Sequence, residues 1–537
     1  MKLRKETACY RAYLPLDLPP EADFAYRNNN NMVAHLQGSN VFPARVFNGD
    51  YPSQDMLVIG DIYSKRFMLI GALTAFRSLT YLTLHRRGKF TGVTVEQPHI
   101  KPDETPEEIL VLEGDSWQDL MIQYADAAAK KMSVPRIQAA RNFTAYCTWY
   151  YYYAGVSESN LLENVAALTT NRSRYAAEYV QIDDGYQPFQ GDWLEQRHDW
   201  PTPLRDIVAK IGDGGMKPGI WTIPLMASTV SRVFREHQDW FVRDGTNQPA
   251  LIRGWSAPPD THWGCLDATR PEVLDHLVNV FNTFRSYGFA YFKMDGLGLG
   301  LMEGIRQDSA ATPVSAYRQA LKAIRETVPD AVLLGCGAPF MPTLGLVDHC
   351  RVSYDTSRYY ENPRPEPANG DDLFRADIKT AIHVLMSHWW KFDRWFRADP
   401  DALMARQDNA YYSYGEAKMS ILTGILTGVC TTSDNFNTID ANRLALLERA
   451  VKYRIRNAHP FSWTTGCWPQ VFIGNFDDGR KAVAIFNDSN QIMTYHFQEY
   501  GLPEQCEELL DAPSIRKFKI VLPPHDAALL AEVGKSE

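Results

Sequence analysis

The amino-acid sequence predicts an α/β protein, namely a (β/α)8 TIM barrel flanked by an N-terminal β-sandwich and a small C-terminal β-sandwich. Three observations support this fold class. In the middle of the chain, short apolar runs alternate with longer helical stretches, as in a parallel sheet wrapped by helices. Short β-rich runs with few helical signals come before and after this region. The length of 537 residues is also too great for one hydrophobic core.

Changes of pattern along the chain set the predicted domain boundaries. We assign residues 1–135 to the N-terminal sandwich, which contains the runs MLVIGDIY, RFMLIGALT and SLTYLTLHR. We assign residues 136–457 to the barrel. Residues 458–537 form the C-terminal sandwich, with the runs QVFIGNF, KAVAIFN and FKIVLPPHDAALLAEV.

Eight apolar runs are the predicted barrel strands: FTAYCTWYYY, EYVQID, KPGIWTI, AYFKMD, AVLLGC, CRVSYD, RWFRAD and TGVCTT. Between the third and fourth runs, PEVLDHLVNVFNTFRSYG places its apolar residues on one helical face, and Gly288 stands where a C-terminal cap is needed. Eight strands over roughly 290 residues fit the size of a (β/α)8 barrel with insertions.

Composition and charge exclude several classes of protein. Apolar residues make up 45% of the chain and the net charge is −9, with no long Lys/Arg run, so we expect no nucleic-acid partner. No segment has the apolar length of a signal peptide or a membrane span, which predicts a soluble, unexported protein without a membrane partner. The eight cysteines are scattered singly, which favours reduced thiols and a cytoplasmic location.

Carboxylates end four of the predicted strands, at the edge where a barrel assembles its active site. A single Asp after a strand is more often a helix cap or a turn residue. Several converging carboxylates raise one another's pKa, a cost that a fold tolerates mainly where a site uses them. They are Asp183 and Asp184 on the second strand, Asp295 on the fourth, Asp355 on the sixth, and Asp399 and Asp401 on the seventh.

Such carboxylates serve either a divalent metal or glycoside cleavage, which needs one nucleophilic carboxylate and one carboxylic acid. Lys293 favours glycoside cleavage, because it precedes Asp295 by two residues and its ammonium should point to the same face and compete with a metal. Arg351 stands four residues before Asp355, and if that strand is regular its guanidinium should also point into the site and compete with a metal. A salt bridge at the barrel rim is the alternative explanation of both cations.

Seven motifs in order carry a family resemblance: QIDDGYQ with GDW, then KPGIW, FKMD, GCGAP, RVSYD and DPD. This series resembles the strand-end motifs of glycoside hydrolase clan D, and of family 36 α-galactosidases in particular. REHQDWFVRD and LDATRPEV are similar to family 36 as well. The likeness spans residues 147–434, and the flanking β domains are those that the family carries.

The resemblance implies a role for each matched residue. Asp295 falls on the nucleophile of the family and Asp355 on its acid/base. The family's sugar-binding positions are matched by Asp183 and Asp184 (4-OH and 6-OH), Lys293 and Arg351 (ring hydroxyls), Asp401 (a further carboxylate), Trp149 and Trp221 (aromatic walls) and Cys336 (pocket floor). Packing in the barrel core is the alternative for the tryptophans and the cysteine. The resemblance implies no cofactor and no metal.

The implied function is a retaining exo-α-glycosidase that releases terminal α-linked galactose. Retention needs two carboxyls about 5 to 5.5 Å apart, on opposite sides of the anomeric carbon. Tyr186 and Met294 stand where the family usually has tryptophan, so we expect an altered pocket wall. A small residue at Gly337 is compatible with an N-acetylgalactosamine substrate, whereas the bulky Phe340 favours galactose.

Several functions stay open on the sequence. The alternatives are an α-N-acetylgalactosaminidase, a galactosyl-transferring enzyme of the raffinose-synthase kind, a metal-dependent barrel enzyme, and a sugar-binding protein with a decayed site. The sequence predicts neither the aglycone nor the oligomeric state.

Overall fold

The computed structural model of the chain contains all eight predicted barrel strands, in the predicted order. It describes residues 9–16, 18–19, 22, 24–28, 41–42, 48–135, 137, 142–255, 261–363, 366–367, 373–374, 376–461, 463 and 468–534. We number the barrel strands 1 to 8: Phe143–Cys147, Tyr179–Ile182, Lys217–Thr222, Tyr291–Met294, Val332–Gly335, His349–Arg351, Arg397–Asp399 and Val429–Thr432.

The barrel strands are parallel, and neighbours in sequence are neighbours in the sheet. Strand 8 pairs with strand 1, and the ring closes through a short ninth segment, Ala402–Leu403, which lies parallel to strand 8. Asp401 has a φ of 72° and separates this segment from strand 7. The seventh side of the barrel therefore consists of two pieces, one paired with strand 6 and the other with strand 8.

Helices cover the outside of the barrel, and each follows a strand. The helix after strand 3, Pro271–Tyr287, buries the predicted face and ends at Gly288, whose φ of 108° favours glycine. The other helices that follow the strands are Glu158–Thr170, Leu204–Asp213, Pro313–Thr327, Phe340–Thr343, Ile378–Ser387, Tyr414–Thr427 and Ala441–Lys452. Shorter helical segments are Trp149–Tyr152, Tyr153–Gly155, Arg232–Glu236, Gln238–Trp240, Leu297–Leu301 and Trp389–Lys391.

The N-terminal region is a β-sandwich whose two sheets bury apolar side chains such as Leu57, Ile70 and Leu84 between them. One sheet consists of Cys9–Pro15, Gly49–Gln54, Tyr81–Arg87 and Lys89–Pro98. The other consists of Phe24–Arg27, Val41–Phe42, Met56–Asp61, Arg66–Ala72 and Ile109–Gly114. The helix Trp117–Lys131 follows the sandwich and packs into the same core as the barrel.

The C-terminal region is built from a six-stranded and a two-stranded antiparallel sheet. The larger sheet consists of Arg456–Pro460, Val471–Asn475, Lys481–Asn487, Gln505–Glu508, Ser514–Lys517 and Asp526–Glu532. The smaller consists of Met493–His496 and Lys519–Leu522, near the short helix Phe497–Tyr500. Two insertions in the barrel carry the strands Met226–Ser228, Leu251–Arg253 and His262–Cys265, and Glu366–Pro367 with Leu373–Phe374.

The observed strands differ in length from the predicted ones, most of all strands 1, 6 and 7. Strand 1 ends at Cys147, whose partner Gln181 forms the last pair with strand 2, and Trp149–Tyr152 is helical. Strand 7 begins only at Arg397, because its pairing with strand 6 begins there. Strand 6 ends at Arg351, so the prediction that Asp355 ends this strand is wrong and Asp355 lies in the following loop. Among the described residues, no helix has the length and apolarity needed to cross a bilayer.

Candidate active site

Strands 2 and 4 bring Asp183 and Lys293 together in the barrel mouth. The Lys293 ammonium donates a 3.0 Å hydrogen bond to Asp183, and both side chains are almost fully buried. Gln181 and Cys147 also donate to this carboxylate. Burial lowers the pKa of Lys293, but the Asp183 carboxylate and further neighbours such as Asp295 together outweigh burial, so the pKa lies well above its usual value. Lys293 is therefore a fixed positive charge in the mouth, as its position in the sequence predicted.

Asp184 lies beside Asp183 and has a separate set of donors. The side-chain amide of Gln187 donates to Asp184 Oδ1 at 2.5 Å, and that of Gln190 donates to the same atom at 3.4 Å. Burial and the Asp183 charge raise the pKa of Asp184 to about 6, although the hydrogen bond from Gln187 opposes the change. Neutral amides thus hold this buried carboxylate in place, where it can accept hydrogen bonds from a polar ligand.

Asp295 follows strand 4 and accepts hydrogen bonds on both carboxylate oxygens. The indole of Trp221 donates to Oδ2 at 3.1 Å, and the backbone N–H of Gly296 donates to Oδ1 at 2.7 Å. Burial raises the pKa of Asp295, but the charges of Lys293 and Arg351 outweigh burial, so the pKa lies below its usual value. Asp295 is consequently ionised near neutral pH and fixed in orientation.

Arg351, at the end of strand 6, connects two carboxylates on the other side of the mouth. Its guanidinium hydrogen-bonds to Asp355 and lies 2.5 Å from Asp401 Oδ2. The hydroxyl of Tyr150 donates to the same oxygen of Asp401 and accepts from Arg351 at 3.3 Å. The backbone N–H of Thr356 donates to Asp401 at 2.9 Å, which ties the loop that carries Asp355 to the barrel.

Asp355 differs from Asp295 in the direction of its pKa shift. Its side chain is 39% exposed, whereas that of Arg351 is 7% exposed. Burial and the negative charges of Asp401 and Asp295 raise the pKa of Asp355, and Arg351 offsets only part of that rise. The two carboxyls interact electrostatically across one mouth, with pKa values moved in opposite directions. That arrangement provides an ionised carboxylate and a proton donor for the same ligand.

The remaining predicted site residues surround this centre. The buried indole of Trp221 packs edge-on against Trp193 at 5.8 Å and hydrogen-bonds Asp295, so it does more than fill the barrel core. Trp149 is half-buried at the rim. The Cys336 thiol hydrogen-bonds Asp295 and thereby lowers the pKa of that carboxylate. Burial raises the pKa of the thiol itself, so Cys336 is a neutral part of the pocket floor.

Two expectations about the pocket wall need correction. Met294 is fully buried and follows Lys293, so alternation along the strand directs Met294 toward the helices rather than the mouth. Phe340 is also fully buried, packed against His388 and Phe396 at 5.7 Å. It therefore cannot touch a substrate, and its size does not favour galactose over N-acetylgalactosamine.

Sequence reasoning missed four side chains that hold the predicted carboxylates. Gln181 and Gln187 lie inside the motif QIDDGYQ and Gln190 follows it, so their spacing from the Asp pair was the available signal. Tyr150 lies in the WYYY run, which looks like apolar packing in the sequence. Within the described ranges, no group of three or more His, Cys, Asp or Glu side chains is arranged to hold a metal ion.

A parallel (β/α)8 barrel with two carboxyls of opposite pKa shift at the carboxyl ends of its strands has the groups that glycoside cleavage requires. The melibiase family model matches residues 104–322. Alpha-galactosidase AgaA of Geobacillus stearothermophilus is 21% identical over 358 residues, which are 58% of this chain and 46% of that protein. Probable alpha-galactosidase C of Aspergillus oryzae is 29% identical over 164 residues, 28% of this chain and 20% of that one. The chain thus matches less than half the length of these curated relatives.

Solved structures show the same fold. The α-galactosidase TtGalA of Thermus thermophilus superposes with a TM-score of 0.68 at 21% identity, covering 86% of this chain and 91% of that one. The family 36 α-galactosidase AgaA of Geobacillus stearothermophilus gives 0.63 at 13% identity, covering 97% and 76%. The resemblance drawn from the strand-end motifs is confirmed, since the matching family model, the curated relatives and the solved structures of the same fold are melibiases or α-galactosidases.

Proposed function

We propose that this protein is a retaining exo-α-glycosidase that releases terminal α-linked galactose from oligosaccharides or glycosides. One observation carries the proposal: two carboxyls at one barrel mouth have pKa values moved apart, Asp295 downward and Asp355 upward. A retaining glycosidase needs this division between a nucleophile and a general acid.

In the first step, Asp295 attacks the anomeric carbon from the β face while Asp355 gives its proton to the leaving oxygen. The bond from the anomeric carbon to the leaving oxygen breaks as the bond to the Asp295 carboxylate forms. The hydrogen bonds from Trp221 and Gly296 hold the carboxylate in position for the attack. Loss of the Asp355 proton leaves a carboxylate next to Arg351, which stabilises it.

In the second step, Asp355 acts as a base and removes a proton from water as the water attacks the anomeric carbon from the α face. The bond to Asp295 breaks, and the sugar leaves with its original α configuration. Asp355 is protonated again, which its raised pKa favours. Neither step as written calls on a cofactor.

Recognition of the sugar is assigned to the buried residues near strands 2 and 4. Asp183 and Asp184 would accept hydrogen bonds from the 4-OH and 6-OH, because a buried carboxylate rejects a sugar that leaves it unpaired. Lys293 and Arg351 would bind ring hydroxyls, with Asp401 as a further pocket carboxylate and Trp149, Trp221 and Cys336 as walls and floor.

The relatives support galactose as the sugar. The Thermus thermophilus enzyme is described in complex with p-nitrophenyl α-D-galactopyranoside and with stachyose. We extend α-galactoside binding from that protein to this one on the shared fold. The cytoplasmic location and the boundaries 1–135, 136–457 and 458–537 stay predictions from the sequence.

A panel of aryl α-glycosides of galactose, N-acetylgalactosamine, glucose and arabinopyranose tests the function. We expect the galactoside to be turned over fastest, in the presence of a chelator, with the α anomer as the first product by proton NMR. The β anomer as first product would contradict retention. Faster turnover of the N-acetylgalactosaminide would show that N-acetylgalactosamine, not galactose, is the preferred sugar. Dominant transfer to an added sugar acceptor would show that the protein is a transferase.

A further inference from the structure

Four aromatic side chains line the barrel rim after strands 1, 6 and 7, and we call them the aromatic strip: Trp149, Tyr153, Tyr359 and Tyr411. Trp149 and Tyr153 meet edge to face, with ring centroids 5.4 Å apart. Tyr359 and Tyr411 are stacked at 4.8 Å with an interplanar angle of 10°. Trp149 precedes Tyr150, whose hydroxyl accepts a hydrogen bond from Arg351 beside Asp355, and Tyr359 lies in the loop that carries Asp355. The strip therefore extends outward from the loop that carries Asp355.

Arg358 holds the outer pair of the strip. Its guanidinium carbon lies 5.4 Å from the ring centre of Tyr359 and 5.5 Å from that of Tyr411. It also donates a 2.9 Å hydrogen bond to Asn409, and its carbonyl accepts from the backbone N–H of Tyr411 at 2.7 Å. The loops after strands 6 and 7 are thus joined at this point, and the stacked rings are preorganised.

Tyr153 has an unfavourable backbone conformation, with φ of 50° and ψ of −152°. A bulky residue rarely adopts a positive φ, and such strain persists mainly where function uses the resulting geometry. Tyr153 is 36% exposed and Tyr411 is 61% exposed. Two rings of the strip are thus open to solvent, although aromatic rings favour burial.

The strip lies on the side of the mouth where a leaving group belongs. Asp295 follows strand 4, whereas the strip follows strands 1, 6 and 7, which are joined to one another through strand 8 and the ninth segment. In the proposed reaction the leaving oxygen receives its proton from Asp355, so the rest of the substrate extends from Asp355 and away from Asp295. Tyr359 follows Asp355 by four residues in the same loop.

We propose that the aromatic strip binds the second sugar ring of an α-galactosyl oligosaccharide, a proposal that rests on the function proposed above. The C–H face of a pyranose packs on an aromatic ring, and the guanidinium of Arg358 can hydrogen-bond the hydroxyls at its edge. The same surface receives the acceptor in the second step. There, an acceptor hydroxyl replaces water, gives its proton to Asp355 and forms the new bond to the anomeric carbon as the bond to Asp295 breaks.

Trp255 is the competing surface, and it lies on the opposite side. It is 54% exposed and packs against Trp263 at 4.3 Å. A Cβ at Gly296, the residue after Asp295, would lie 3.2 Å from its ring. A leaving group bound by Trp255 would extend on the side of Asp295, so the two surfaces make opposite predictions.

The test compares kcat/KM for an α-1,6-linked galactosyl disaccharide with kcat/KM for methyl α-galactoside, whose leaving group has no ring. In Tyr359→Ala and Tyr411→Ala we expect the ratio of disaccharide to methyl glycoside to fall by roughly five- to tenfold, mainly through a higher KM, since stacking contributes on that scale. Tyr359→Phe keeps the ring and should keep the ratio. The fraction of product transferred to added glucose should fall with the ratio.

The controls separate the outcomes. Tyr63→Ala, at a 92% exposed tyrosine of the N-terminal sandwich, should leave both rates unchanged. An unchanged ratio in both alanine variants would contradict binding of the second sugar ring by the aromatic strip. A lower ratio in Trp255→Ala alone would place the second ring on the side of Asp295. If the wild-type protein hydrolyses neither glycoside, the proposed function is wrong, and the proposal for the aromatic strip, which rests on it, is wrong as well.

Discussion

The two sides of the barrel mouth have the same formal charges but opposite effects on their central carboxyl. The side of strands 2 to 4 holds Asp183, Asp184 and Asp295 with one cation, Lys293. The side of strands 6 and 7 holds Asp355, Asp399 and Asp401 with one cation, Arg351. The pKa is lowered at Asp295 and raised at Asp355.

The surrounding charges account for most of this difference, and the hydrogen bonds to Asp295 add to it. Asp295 accepts from Trp221 and from the N–H of Gly296 and is reached by the charges of both cations. Asp355 shares Arg351 with the more buried Asp401, and Tyr150 and Thr356 also donate to Asp401. A carboxyl with few donors beside other carboxylates favours its protonated form. The neighbouring charges, together with the hydrogen bonds to Asp295, thus give the two carboxyls different pKa values.

Removal of Asp295 or Asp355 tests the assignment of nucleophile and acid/base, and it has the largest expected effect. Asp295→Gly and Asp355→Ala should each lower activity on natural substrates by several powers of ten, since general acid catalysis alone contributes roughly 10² to 10⁴. Added azide should give β-galactosyl azide with Asp295→Gly and α-galactosyl azide with Asp355→Ala, as measured by NMR. The reverse pairing of anomers would show that Asp355 is the nucleophile and Asp295 the acid/base.

Lys293→Met tests the side of strands 2 to 4. The change leaves the Asp183 carboxylate buried without its cation, so we expect the free energy of unfolding to fall by about 3 to 5 kcal/mol in chemical denaturation. The double variant Lys293→Met with Asp183→Asn removes the buried charge and should be more stable than the single one. Equal stability of the two variants would mean that Asp183 does not depend on Lys293.

Tyr150→Phe tests the side of strands 6 and 7 by removing a single oxygen. The variant loses the hydrogen bonds to Asp401 and Arg351, each of which contributes about 1 to 3 kcal/mol when a charged group is involved. We expect kcat to fall about tenfold with a small change in KM, because the loop carrying Asp355 loses support. A wild-type kcat would make Tyr150 a packing residue, and Tyr63→Phe is the control for loss of a hydroxyl.

Asp401→Asn should give the smallest effect, a shift in the pH profile. The Asp401 charge raises the pKa of Asp355, so its removal lowers that pKa. Asp355 then loses its proton at lower pH, and the alkaline limb of kcat/KM should move toward lower pH. The acidic limb, which reports Asp295, should move little. An alkaline limb that moves toward higher pH would contradict the assignment of Asp355 as the acid.

The strand order and the clustering of the strand-end carboxylates could be predicted from the sequence, because hydrophobic periodicity and strand ends are local signals. Strand lengths could not, since pairing with a neighbour decides them, as at Arg351 and Arg397. The direction of a pKa shift also depends on residues far apart in the chain. Tyr150 reaches Asp401 across 251 positions, a contact that no local pattern in the sequence indicates.

The interrupted seventh side of the barrel links the integrity of the fold to the chemistry. Asp401, with its φ of 72°, is at once the residue where the ring changes partners and the carboxylate that anchors Arg351. Closure of the ring and alignment of the proton donor are therefore one structural event. A chain whose ring is still open would lack an aligned proton donor, so incomplete folding should lower activity on natural substrates as loss of Asp355 does.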